Sequence, residues 1–192
     1  MLTMLEDSPA PRLTPEALAD YRAKVATTGG ARALLRLARF GAFPHALGPP
    51  GPAVATLDAD RGPQLAASAI LAPLTARLAP LPPEDAVCDH LSLEAVGWIE
   101  QAWSDASGVY AAALLVYVPL AEELRALAAV DQLARAAVHV HGRGTFAVDP
   151  GGSTVRVRSL RVAHVTVALG GLVRGDEARV LRLLGPDEEV AP

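Results

Sequence analysis

The titratable and cationic chemistry of the chain gathers in one stretch. His139 and His141 stand two apart in Val138-His139-Val140-His141, and Arg143, Arg156, Arg158, Arg161 and His164 follow. Arginines on an extended segment can track phosphates electrostatically, and a neutral histidine can stack on a base or hydrogen-bond to it. A His-x-His pair on a strand also directs both imidazoles the same way. A third histidine from across the hairpin would then complete a three-nitrogen set for zinc or a similar ion, with an open position for an activated water. Arg143 beside that set disfavours a dication.

Two smaller clusters invite the same question. In Cys88-Asp89-His90 a thiolate beside an imidazole would be an activated nucleophile, although sequence neighbours need not face each other and a lone Cys88 also reads simply as a small buried hydrophobe. Asp58-Ala59-Asp60 follows the mostly apolar run Ala53 to Leu57, and two carboxylates at a strand end can hold Mg²⁺. That pattern superficially resembles the first motif of haloacid-dehalogenase-type phosphatases. The family also uses a downstream lysine, whereas the only lysine here, Lys24, lies upstream, which leaves a polar loop. Gly-rich phosphate loops with lysine, Gly-x-Ser-x-Gly, Cys-x-x-Cys and His-Glu-x-x-His are all absent from the sequence.

The elements that position the histidines and arginines follow from Pro150-Gly151-Gly152-Ser153, where a two-residue Gly-Gly turn between alternating runs predicts a β-hairpin over 138–167. Pairing Pro150 with Ser153 sets Val148 against Val155, Phe146 against Val157, Val140 against Ala163 and Val138 against Val165 on an apolar face. His139 then meets His164 on the opposite face, with His141, Arg143, Thr145, Arg156 and Arg158 alongside. A one-residue slip would separate the histidines, and Gly142 and Gly144 are positions where a bulge would shift the register.

Charge is distributed unevenly. Between Arg135 and Arg182 eight arginines, Arg174 among them, face three carboxylates, a local balance of +5; the remainder carries −9, for a total of −4. The whole molecule is therefore no polycation, and only its C-terminal third is locally basic. Sixteen arginines against one lysine, with no asparagine, read as a high-GC coding bias and weaken any argument from arginine number alone.

Elsewhere, Thr14-Pro15-Glu16 reads as a helix start and Gly29-Gly30 as its end. The residue pattern predicts further helices over 31–40, 64–79 (split at Pro73), 92–103, 119–135 and 176–184, a loop over 41–52 and a doubly buried strand over 109–118. The expected fold is α+β: a mostly helical N-terminal half packed on a small antiparallel sheet containing the long C-terminal β-hairpin. Residues 13–185 form one globular domain, 1–12 a flexible tail and 186–192 a flexible acidic tail. A single cysteine among 192 residues excludes an intramolecular disulfide framework, and neither a secretory signal nor an apolar run near the roughly 20 residues of a membrane span is visible. The expectation is cytoplasmic, with no membrane anchor.

For function, the pattern predicts a non-enzymatic binding protein that contacts nucleic acid, DNA in the first instance, through Arg143, Arg156, Arg158, Arg161 and Arg174. Poverty in aromatic residues counts against single-strand stacking. A homodimeric or protein-interaction module without cofactor, and a zinc site on His139, His141 and His164, are the alternatives.

Overall fold

Burial at every second position governs the chain more than helical periodicity does. Ala31, Ala33, Leu35 and Leu37 are buried while Leu34 and Arg36 between them are less so, which is the spacing of a strand with one face inward. The structure is a computed structural model and describes residues 11–44, 54–77, 94–148, 150–151, 154–169 and 178–190. Its elements are α1 (Pro15–Thr28), β1 (Ala31–Arg39), β2 (Gly41–Pro44), β3 (Val54–Leu57), α2 (Gly62–Ala69), β4 (Pro73–Arg77), β5 (Gly97–Ser104), β6 (Gly108–Leu115), α3 (Val118–Ala129), β7 (Ala137–Val148), β8 (Thr154–Ala168) and β9 (Arg179–Leu184).

The strands run in the order β2-β3-β8-β4-β5-β6-β1-β9-β7, and β7 pairs back onto β8. Seven strands therefore close into a barrel, with β3 and β2 continuing from β8 as a side flap. Leu35, Leu74, Ile99, Ala111, Ala113, Val138, Val165 and Val167 fill the interior, where many alanines suit the narrow lumen of a small barrel. α2 contributes Leu65, Ala66 and Ala69 to this core, and α3 adds Leu120, Ala121 and Leu124.

A mostly helical N-terminal half on a small sheet is thus contradicted: the described residues are 48% strand and 28% helical, with three short helices among them. The helices expected over 31–40 and 92–103 are β1 and, from Gly97, β5; that expected over 176–184 is, from Arg179, β9; the second half of 64–79 is β4; and Gly41–Pro44 is a strand. Alanine, leucine and arginine favour helices intrinsically, and the outer wall is itself partly covered, so polar residues do not mark alternate positions cleanly. α1, α3, the strand after Gly108 and the hairpin stand where the residue pattern placed them.

The outer wall is covered at one place by α1, which Thr14 caps by accepting from the Ala17 N–H at 3.3 Å. Tyr21 packs against Trp98 with centroids 4.4 Å apart and ring planes tilted by 39°. Beside them a β-bulge in β5 leaves Glu100 unpaired between Ile99 and Gln101. The Glu100 carboxylate is fully buried and held by Arg22 on one oxygen and Arg32 on the other. Arg32 Nη1 also donates to the carbonyls of Gly185, Pro186 and Glu188 at 2.9, 3.0 and 2.9 Å, which fixes the chain leaving β9 against β1. Removing one partner of a buried ion pair strands the other charge, at a cost of about 3–5 kcal/mol. Arg32→Ala should lower the unfolding free energy by that amount in urea denaturation; a loss within about 0.5 kcal/mol, as for an ordinary surface substitution, would show that the contact is not structural.

Candidate functional site

The β7–β8 hairpin carries His139, His141, Arg143, Arg156, Arg158, Arg161 and His164. Close to the turn it has the expected register, Val148 against Val155 and Phe146 against Val157. Two bulges then displace it. The first leaves Arg158 unpaired between Val157 and Ser159; the second leaves Ala163 unpaired between Val162 and His164. Together they shift the pairing by two residues. His139 consequently meets Thr166 rather than His164, and His164 meets His141. Because the total shift is even, all three histidines stay on the outer face.

Between the bulges the shift is odd, and this has a consequence that a regular hairpin would not have. Arg161 moves onto the outer face directly opposite Arg143, while Leu160 and Val162 turn inward against Gly144 and Gly142. Glycine is required at both positions: a Cβ on Gly142 would lie 2.2 Å from the Arg161 carbonyl oxygen, and one on Gly144 2.2 Å from that of Ser159. The outer face therefore shows, level by level, His139 and Thr166, His141 and His164, Arg143 and Arg161, Thr145 and Ser159, Ala147 and Arg156. The Thr145 and Ser159 hydroxyls are 2.8 Å apart.

The second bulge lies where β8 has no strand on its other side, since β3 pairs only with residues 154–157 and β4 only with 165–168. A side chain and a guanidinium substitute for the missing strand. Ser68 Oγ accepts from the Val162 N–H at 3.1 Å, and Arg12 Nη2 donates to the Val162 carbonyl at 2.5 Å. Arg12 is held in turn by the carbonyls of Ile70 and Ser68. Neither residue was singled out by the sequence, and no local signal could have done so, because Arg12 lies 150 positions from Val162.

At the histidine end of the wall His164, Thr166 and Thr75 are buried, while His139 is exposed. His141 and His164 stack ring on ring, centroids 4.3 Å apart and planes within 11°. His141 Nε2 is 3.1 Å from Thr166 Oγ1, which is 2.8 Å from Thr75 Oγ1, and both threonines are buried. His164 is 6% exposed, and neither ring nitrogen has a hydrogen-bond partner. Burial, with the charges of His164 and His139 adding to it, pushes the His141 pKa down to about 4. Burial lowers His164, and partial burial followed by the charge of Arg77 lowers His139. The three imidazoles are neutral at pH 7.

Parallel stacked rings direct their in-plane lone pairs side by side, not toward one point, and among the described residues no group of three or more His, Cys, Asp or Glu is arranged to hold a metal ion. His139, His141 and His164 would have to turn their rings to form the zinc set. Of the other candidates, Asp58 ends β3 and lies 3.7 Å from Arg156, while Asp60 pairs with Arg61 at 3.5 Å. Cys88, His90 and Arg174 lie outside the described residues. Among the described residues no helix is long and apolar enough to cross a membrane. Compared with protein-family models, curated proteins and solved structures, the chain finds no match.

The depressed His141 pKa links stability to pH. Between about 4 and the ordinary 6.5 the unfolded chain takes up a proton that the folded protein refuses, so the folded state is fully favoured above pH 6.5 and loses about 3 kcal/mol as pH falls to 4. His141→Gln, which keeps a partner for Thr166 and cannot titrate, should lose correspondingly less stability between pH 7 and 4 in urea titrations. A pH slope identical to that of the parent would refute the assignment.

Proposed function

We propose that the outer wall of the β7–β8 hairpin is a polyanion-binding surface and that its partner is nucleic acid. The observation that carries this reading is the Arg143–Arg161 pair. Two like charges directly opposite each other on neighbouring strands are unfavourable, and both are exposed with no ion-pair partner among the described residues. Arg158, exposed at the first bulge, is likewise unpaired among them; Arg156 extends the series but shares its charge with Asp58. An anion crossing this wall relieves the repulsion that the fold leaves in place.

Contacts of this kind read the phosphate backbone and not base identity, so affinity comes from charge neutralisation and counterion release. Exposed His139 is the one ring at this end of the wall open to a base, since His141 and His164 already stack on each other. The balance of +5 in this part of the sequence supports such a role in a chain of net charge −4. Arg174 remains a candidate fifth contact. The lone Cys88 fits a reducing cytoplasm, and we place the protein there. The reading requires neither metal nor catalytic step.

About four phosphate contacts should cost on the order of 100-fold in affinity between 50 and 200 mM salt. Fluorescence anisotropy of labelled single-stranded and duplex DNA measures this directly. Changing Arg143 and Arg161 together to Ala should weaken binding and flatten the salt slope by about two contacts. Absent or salt-insensitive binding would overturn nucleic acid as the partner and direct attention to a homodimer or a protein partner.

A further inference from the structure

The bulge at Ala163 is costly to maintain. It needs Ser68 and Arg12 to satisfy Val162, and it needs glycine at 142. What it achieves with the Arg158 bulge is specific: the Arg158 bulge opens the odd shift and the Ala163 bulge closes it, and without that shift Arg161 would project inward while Leu160 and Val162 turned outward. Bulges recur where a strand must re-aim a side chain at a functional position. Here the re-aimed side chain is a cation, set opposite a second cation.

A third cation stands behind this pair. Arg12, clamped by the carbonyls of Ser68, Ile70 and Val162, lies close enough to Arg161 that, after burial, the charge of Arg161 contributes to lowering its pKa. One level along β7, about 7 Å at two residues of strand rise, is His164, nine-tenths buried with both nitrogens unpartnered.

We propose that the Arg143–Arg161 level, with Arg12 behind it and His164 beside it, is a seat for one phosphate group. Two guanidiniums approach from neighbouring strands with fork geometry suited to phosphate oxygens. Ser68 is a positioning residue: it accepts from the Val162 N–H, next to Arg161 on β8. The seat rests on the reading of the wall as polyanion-binding and sharpens it: one phosphate, terminal or within a strand, is held at a fixed point while Arg156 and Arg158 contribute only screened charge.

The test follows inorganic phosphate by NMR at the amides of residues 143 and 161 and at the His164 ring, against chloride at equal ionic strength, and in parallel measures anisotropy of a labelled single-stranded oligonucleotide. Arg161→Gln should weaken both phosphate and oligonucleotide binding about tenfold or more, as expected for a hydrogen bond to a charged group. Arg158→Gln, which removes the same charge, should cost about fivefold at most. Ser68→Ala, which removes no charge, should follow Arg161→Gln; if that variant does not fold, the two arginine variants decide alone. Oligonucleotide binding lost equally in the two arginine variants, with no phosphate shift at 143, 161 or His164, would overturn the seat and leave the polyanion reading standing. Phosphate bound there without oligonucleotide affinity would support the seat and overturn nucleic acid as its partner, while binding of neither would overturn both.

Discussion

Closure of the barrel depends on β8 changing neighbours in mid-strand. Its first residues pair with β3 and its last with β4, and for the span between them one edge of the strand meets no other strand. An unpaired buried edge is the most expensive feature a sheet can carry. The protein solves it locally, with Ser68 and Arg12 on Val162 and with α2 packed into the gap. Because the edge is satisfied by side chains instead of a ladder, β8 is free to bulge, and the bulge decides which residues face solvent.

The surface that results has two characters in close succession. At one end are neutral imidazoles and buried hydroxyls, where desolvation wins over the intrinsic basicity of histidine. At the other are the exposed guanidiniums of Arg143, Arg161, Arg158 and Arg156. His141, held down to about 4, adds no charge over the physiological pH range, so the charge of the wall comes chiefly from its guanidiniums. A binding surface of this kind would respond to ionic strength.

Legibility in the sequence divided along physical lines. The hairpin was readable because Gly151-Gly152 and strict alternation are local signals, and the pairing next to the turn followed from them. The three histidines share a face as expected, yet through an even shift composed of two bulges, not through the regular register. The opposition of Arg143 and Arg161 was not readable, because it depends on where the strand bulges, at Arg158 and Ala163, and no turn residue marks either position. The barrel was hidden for a different reason: Ala31 to Arg39 and Gly97 to Ser104 consist largely of residues that favour helices or are buried on both sides, and only closure with distant strands makes them β.

The most direct measurement of the central claim is the set of main-chain NOEs across the hairpin. The bulged register predicts contacts between residues 143 and 161 and between 141 and 164. Contacts of 143 with 160 and of 139 with 164 would instead mark a regular hairpin, place Arg161 on the inner face, and contradict the account of the outer wall.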